Sequence, residues 1–379
     1  MTDKFIPIKA VPSSLVPTEW DSNNAEPSFL PGQALRDRLH RPLQDLRISV
    51  TDRCNFRCTY CMPKEIFDHN YQYLPHADLL SFEEITRIAQ LFVDRGVSKI
   101  RLTGGEPLLR KNLENLIKML SSLRTLDNQP LDLALTTNGS LLTRKAQSLK
   151  DAGLSRLTVS LDALDDRIFK QMNDVDYPVG QVLEGIEAAQ AAGFERIKIN
   201  MVVKRSSNRD QIIPMTRYFK DTPHILRFIE FMDVGSSNQW CMDEVLTTEQ
   251  ILTDLTQAGM PLIKLKANSA SETASRYQHR DGQGELGFIS SVSQAFCHDC
   301  SRARLSTQGM LYTCLFASHG YDLRHFLRHP SKGQADTELA NYITNIWQHR
   351  QDRYSELRGS DSENIHGTSQ KIEMSYIGG

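Results

Sequence analysis

Six short apolar runs set the rhythm of the chain: "LRISV" (46–50), "KIRLTG" (99–104), "LDLALTTN" (131–138), "RLTVSLD" (156–162), "IKINMVV" (197–203) and "ILRFIEFM" (225–232). Each is an aliphatic or β-branched run of the kind buried on both faces of a parallel sheet. Stretches of helical period lie between them. "SFEEITRIAQLFVDRG" opens on Ser81, carries Glu84 three residues on as a capping box, and stops at Gly96. "TRKAQSLKDAG" and "QVLEGIEAAQAAG" stop in the same way, at Gly153 and Gly193. Strand, helix, glycine, strand predicts repeated βα units. Six units fit an incomplete (βα)6 TIM-type barrel; a doubly wound open sheet is the rival that pattern alone leaves open.

Beyond about residue 240 the rhythm changes. "ELGFISSVSQAF" and "RARLSTQGMLYTCLF" read as short antiparallel strands with a glycine turn, followed by a helical stretch around 335–352 and a polar tail ending "SYIGG". Residues 1–33, rich in Pro, Ser and Asn, read as a mobile N-terminal extension. The expected organisation is that extension, a partial-barrel core over 34–240, and a smaller C-terminal α+β domain over 241–379.

Composition changes this picture little. The 379 residues are 40% hydrophobic and 24% charged, with a formal net charge of −2. That balance gives no overall nucleic-acid or membrane surface, so an anion site has to be a local cluster. No apolar run has membrane-spanning length, and "MTDKFIPIKAVPSS" is neither a signal peptide nor a transit sequence. A soluble, cytoplasmic protein is the expectation.

The cysteines change it a great deal. Seven without a signal peptide argue against a disulfide framework, and six fall into two groups of three. Cys54, Cys58 and Cys61 form C-x3-C-x2-C directly after the first strand, where a βα loop of a barrel presents functional groups. Three thiolates hold three irons of a [4Fe–4S] cube and leave the fourth open to an exogenous ligand. The alternative is zinc with a distant fourth ligand, although zinc cysteines more usually come in spaced pairs. Cys297, Cys300 and Cys314 form the second group, next to Arg302 and Arg304. Taken alone it fits zinc about as well as iron, with Cys241 or His298 as a fourth ligand. An open iron beside two guanidinium groups would suit an anionic substrate that coordinates metal.

Basic residues also interrupt strands that ought to be nearly free of charge: Arg47, Arg101, Lys198 and Arg227, with Lys99 two residues before Arg101 and so on the same face. Any one of them is explained by snorkelling at a strand end. Together they point to a barrel interior that holds a multiply charged anion, since unpaired buried charge is costly. Glu230 could neutralise one of them.

The cysteine spacing, with Tyr60 before the last cysteine, resembles the radical S-adenosylmethionine superfamily. "TGGEP" (103–107) supports this, its glycines allowing close approach of backbone to a ligand and Glu106 able to accept from an ammonium. With "LTTNG", "VSLDA", "IEFMDVG", "SVSQAFCHDCSRARLS" and the terminal Gly-Gly, the chain from about residue 34 onward resembles the GTP 3′,8-cyclase family. The resemblance implies two [4Fe–4S] clusters, one on Cys54, Cys58 and Cys61 and the other on Cys297, Cys300 and Cys314. It implies S-adenosylmethionine contacts at Tyr60, Gly105, Ser160 and Met232. GTP contacts follow at Arg47, Lys99, Arg101, Thr136, Lys198, Arg302 and Arg304, with Arg227 and Asn200 as neighbours.

The same resemblance implies that Gly378 and Gly379 thread into the active site and act there with Arg302 and Arg304. The implied reaction starts with a 5′-deoxyadenosyl radical taking hydrogen from C3′ of GTP. It ends at (8S)-3′,8-cyclo-7,8-dihydroguanosine 5′-triphosphate, in molybdenum cofactor biosynthesis. A cyclic pyranopterin monophosphate synthase downstream, an external electron donor and a homodimer are the implied partners. Two rivals are kept. A peptide-modifying radical enzyme needs no basic strand residues and more C-terminal cysteines. A zinc module would bind zinc and cleave no S-adenosylmethionine.

Overall fold

A computed structural model describes residues 32–269, 271–328, 332–358 and 371–378. Most of the expected N-terminal extension and the terminal Gly379 lie outside the described residues. The six expected strands are present: β1 (Asp45–Ser49), β2 (Lys99–Thr103), β3 (Asp132–Thr137), β4 (Arg156–Ser160), β5 (Lys198–Val203) and β6 (Ile225–Glu230). They pair in sequence order, each parallel to the last. That order is the barrel-type succession, not the reversed order of a doubly wound sheet.

The C-terminal strands are β7 (Leu262–Lys264), β8 (Ser275–His279), β9 (Glu285–Ile289), β10 (Arg302–Leu305), β11 (Met310–Tyr312) and β12 (Tyr321–Asp322). They extend the same sheet at both edges. The twelve-strand order is β12-β11-β10-β1-β2-β3-β4-β5-β6-β9-β8-β7. β10 runs parallel to β1 and β9 parallel to β6, so the parallel core grows to eight strands before antiparallel hairpins finish each edge. The Gly309 turn between β10 and β11 is the one the sequence marked.

Period-two alternation explains how this sheet makes a chamber. Leu46, Ile48, Ile100, Leu102, Leu133, Leu135, Leu157, Val159, Ile199, Met201, Leu226 and Phe228 are almost wholly buried in the hydrophobic core. Helices α1 (Phe82–Val93), α2 (Leu113–Ser121), α3 (Leu142–Asp151), α4 (Asp166–Asn173), α5 (Val179–Ala191) and α6 (Ile212–Lys220) supply its other apolar stripes. The intervening positions hold Asp45, Arg47, Lys99, Arg101, Thr136, Lys198, Asn200 and Arg227, and these line the interior. The pattern predicts apolar content on both faces; the helix-facing side is apolar, and the inner face mixes these polar residues with Val202, Ile225 and Ile229.

Caps and glycines fix the connections. Ser81 and Glu84 form the expected reciprocal capping box at the start of α1. Gly96, Gly153 and Gly193 all take positive φ after their helices. At the end of β2, Gly104 has φ +141°, and a Cβ there would sit 2.3 Å from the Thr51 carbonyl oxygen. Gly104→Ala is therefore expected to cost about 1–3 kcal/mol through backbone strain and collision. The measurement is the urea unfolding midpoint, which falls; an unchanged midpoint would show that the loop after β1 is free to move aside.

Candidate functional site

The interior is a cavity of about 790 Å³ with a cysteine triad at each rim. The loop leaving β1 carries Cys54, Cys58 and Cys61, so these stand at the C-terminal ends of the parallel strands. Cys300 lies two residues before β10, whose first residue Arg302 is in register with Asp45 at the start of β1. Cys314 lies two residues after β11, which runs back antiparallel to β10. The second triad therefore occupies the opposite rim. All six cysteines line the same cavity, and among the described residues no histidine does.

The first triad is held by a loop packed against "TGG". Gly105 N–H donates to the Thr51 carbonyl at 2.8 Å, and a Cβ on Gly105 would lie 2.3 Å from the Arg53 carbonyl. Tyr60 is anchored by donating to Asp162 at 2.7 Å, and Asp162 in turn accepts from Val202 N–H. Phe56 N–H and Asn138 Nδ2 point at the Cys54 sulfur, at 3.4 and 3.9 Å. Burial and the nearby Glu106 push the Cys54 thiol up to about 11, and burial raises Cys58 and Cys61 further. Buried soft donors that resist ionising by themselves become thiolates when a metal cluster supplies positive charge, so the donor set fits such a cluster.

The second triad is held differently. Burial raises the Cys300 thiol, but Arg302 and Arg350 outweigh it and bring it down to about 6. Arg350 Nη2 donates to the Cys300 sulfur at 3.2 Å and Nη1 to its carbonyl at 2.7 Å, while the same guanidinium meets Asp37 and covers the Trp347 ring. Arg41, paired with Asp37, donates to the Cys297 carbonyl. Burial, with Asp352 nearby, pushes Cys314 up to about 12. Neither proposed zinc partner joins them: Cys241 is exposed, and both ring nitrogens of His298 face carboxylates of Asp299 and Glu356. Among the described residues no group of three or more His, Cys, Asp or Glu side chains is placed to hold a single metal ion. A cube, whose thiolates stand further apart, does not require that convergence.

Between the rims the register stacks cations in rows. Arg304, Arg47 and Arg101 are neighbours across β10, β1 and β2; Arg302, Asp45 and Lys99 form the row beneath. Lys99 is paired with Asp45 at 3.0 Å. Arg47, Arg101, Lys198, Arg227, Arg302 and Arg304 have no carboxylate in ion-pair contact among the described residues. Their partners are neutral: Thr136 and Thr158 accept from Arg101, Asn200 from Arg227, Thr273 from Arg302, and the Gly378 carbonyl from Arg304. Burial and mutual repulsion hold Arg47 well below its ordinary value and bring Lys99 to about 8, Lys198 to about 7, Arg227 to about 9 and Arg304 to about 10.

Every described residue that the resemblance assigns to a cluster, S-adenosylmethionine or GTP lines the cavity, and Gly378 reaches it through Arg304. Gly378 has φ +74°, and a Cβ would meet the Thr103 side chain at 2.1 Å. The tail is guided there by Lys371 on Asp233 and by Glu373, which accepts from Ser236 N–H and Ser237 Oγ. Two glutamates behave otherwise than expected. Glu106 is fully buried and accepts from Leu108 N–H, Thr137 Oγ1 and Asn138 N–H, so it ties β2 to β3 instead of facing an ammonium. Glu230 accepts from Thr248, Val292 and Ser293, not from a cation. Sequence reasoning missed Arg156, Arg196 and Arg276, which also line the cavity. Arg156 shares the face of Thr158 and Ser160 and was legible by alternation; Arg350, fifty residues beyond Cys300, had no local signal.

Comparison with known proteins agrees with this geometry. Residues 48–219 match the radical SAM superfamily, and residues 224–356 match Molybdenum Cofactor Synthesis C. A GTP 3′,8-cyclase of Acidothermus cellulolyticus is 49% identical over 365 residues, covering 92% of this chain and 99% of that one. One from Xanthomonas campestris pv. campestris is 49% identical over 345 residues, 91% and 97% of the two chains. One from Staphylococcus saprophyticus is 45% identical over 348 residues, 92% and 99%. Streptococcus suis SuiB bound to S-adenosylmethionine shares the fold at 14% identity, with a TM-score of 0.53 over 84% of this chain and 68% of that one. SuiB bound to the precursor peptide SuiA does so at 15%, with 0.54 over 87% and 70%. Two rims of cysteine, a cationic interior and relatives of this closeness place the chain in the GTP 3′,8-cyclase family of the radical SAM superfamily.

Proposed function

We infer that the protein converts GTP to (8S)-3′,8-cyclo-7,8-dihydroguanosine 5′-triphosphate, the first step of molybdenum cofactor biosynthesis, in the chamber between the two triads. The observation that carries this site is the set of unpaired cations lying between two incomplete cysteine sets in one cavity. Cys54, Cys58 and Cys61 would hold the [4Fe–4S] cluster that, with bound S-adenosylmethionine, would supply the radical chemistry directed at C3′ of GTP.

The chain's own residues position and shield. Tyr60, Gly105, Ser160 and Met232 contact S-adenosylmethionine in this reading. The missing Cβ of Gly105 lets the cysteine loop pack closely on the end of β2, and the Tyr60–Asp162 hydrogen bond fixes the Tyr60 ring. Cys297, Cys300 and Cys314 would hold the second [4Fe–4S] cluster, at the rim where this reading seats the base. Arg47, Lys99, Arg101, Thr136, Lys198, Arg302 and Arg304 bind GTP, and Arg227 and Asn200 extend the set. Fixing the base at one rim and the phosphates along the cations leaves the ribose one orientation, the main contribution a protein can make to a radical reaction. Gly378 enters beside Arg304, where a side chain would collide with Thr103; Gly379, read as acting there too, lies outside the described residues.

The reading includes an external electron donor, since reductive cleavage consumes an electron. It includes a cyclic pyranopterin monophosphate synthase acting on the product, a homodimer and a cytoplasmic location, where thiols stay reduced. No helix among the described residues is long and apolar enough to cross a membrane.

The deciding experiment is anaerobic incubation of reconstituted protein with S-adenosylmethionine, reductant and each nucleoside triphosphate in turn. 5′-Deoxyadenosine forms with GTP; equal formation without GTP would sink the reading. A pH dependence follows as well. Burial and neighbouring cations hold free Lys198 at about 7 and Lys99 at about 8, and a bound polyanion raises both. At pH 6 both are charged with or without nucleotide, so binding moves few protons. At pH 8 to 9 binding takes protons up, and affinity falls by up to about tenfold per pH unit for each lysine. Calorimetry of GTP binding at pH 8.5, in buffers of different ionisation enthalpy, should show this uptake. Enthalpies independent of buffer would mean these lysines stay charged without ligand.

A further inference from the structure

Donors dominate the chamber: arginines and lysines bind the phosphates of any nucleotide and the O6 and N7 acceptors of a purine. They cannot read the 2-amino group that separates guanine from hypoxanthine. That group is a donor and needs an acceptor. Five carboxylates line the cavity: Asp45, Asp132, Glu230, Glu272 and Glu285. Four are committed. Asp132 pairs with Arg156, Glu285 with both Arg196 and Arg276, Glu230 with the segments at Thr248 and Val292–Ser293, and Glu272 with Asn268.

Asp45 is different. Its Oδ2 holds Lys99 at 3.0 Å, but its Oδ1 is buried without a hydrogen-bond partner, in a residue only 8% exposed. Among the described residues lining the cavity, the other buried polar atoms without partners are Arg47 Nε and Arg101 Nε. Arg47 is two residues along β1 from Asp45, and Arg101 faces Arg47 on β2. One free acceptor beside two free donors matches a guanine edge, which presents the 2-amino donor and the O6 acceptor. Adenine places a donor where O6 would be. The register also puts this set at the correct rim, because Asp45 pairs with Arg302, two residues from Cys300. A carboxylate would repel a triphosphate but not a base.

We propose that Asp45 is the base-reading residue of this site, its Oδ1 accepting from the 2-amino group of guanine while Arg47 and Arg101 donate toward O6. The assignment rests on the reading of the protein as a GTP 3′,8-cyclase. It is tested on the reconstituted holoprotein without reductant, where nothing turns over, by equilibrium binding of GTP and of inosine triphosphate, which lacks only the 2-amino group. Wild type should prefer GTP by at least about tenfold, as for a hydrogen bond to a charged acceptor. Asp45→Ala should bring the ratio close to one, chiefly by weakening GTP. Asp45→Asn keeps one acceptor oxygen without the charge, and should narrow the preference without abolishing it.

Were Asp45 only the counter-ion of Lys99, its loss would weaken both nucleotides equally, and an unchanged ratio in either variant overturns the proposal. Equal affinities in wild type overturn it too, even should Asp45→Ala fail to fold. Wild type that binds neither nucleotide would instead contradict the function on which the proposal rests.

Discussion

Taking a guanidinium out of water without a counter-charge is costly, and proteins normally pair it or leave it exposed. The chamber does neither for Arg47, Arg101, Lys198, Arg227, Arg302 and Arg304, whose hydrogen-bond partners, where they have them, are hydroxyls, an amide and a backbone carbonyl. Parallel strands place these residues in adjacent register, so each cation raises the cost of the next. Burial and the neighbouring cations lower the proton affinity of Lys198 and Arg47 accordingly. An arrangement so unfavourable by itself is expected where a polyanionic ligand completes it. Most other features of the structure serve to make this interior possible.

The sheet closes around it from both edges. β10 brings Arg302 and Arg304 alongside β1, and β9 lies against β6. The C-terminal third of the chain is therefore part of the chamber wall. It also delivers the second cysteine triad to the rim opposite the first. A ligand spanning the cavity would reach both cysteine triads. Glycine makes the close contacts at the rim of the first triad: Gly104 and Gly105 under the cysteine loop, and Gly378 against Thr103 where the tail comes in.

Much of this was legible from alternation and spacing. The strands announced themselves as apolar runs, and Ser81 with Glu84, Gly96, Gly153 and Gly193 marked helix ends through local backbone chemistry. The basic residues were conspicuous because they broke an apolar pattern. What was not legible depends on distant pairing. β9 and β10 read as hairpin strands, yet each also pairs in parallel with a strand far away in sequence. Glu106 and Glu230 appeared free to meet cations, but backbone donors from other segments had already claimed them. Arg350 supports Cys300 from a helix end that shares no local motif with it. Asp45 lies just outside the apolar run that begins at Leu46 and drew no reading from sequence; register places it between Arg302 and Lys99.

The central claim is that the unpaired cations hold the nucleotide, those not turned to the base forming a clamp for its triphosphate. Equilibrium binding of GTP, GDP, GMP and guanosine to the reconstituted protein, repeated at two salt concentrations, tests it most directly. The account predicts that affinity falls with each phosphate removed, and that added salt weakens GTP most and guanosine least. Guanosine binding as tightly as GTP, with no dependence on salt, would contradict it.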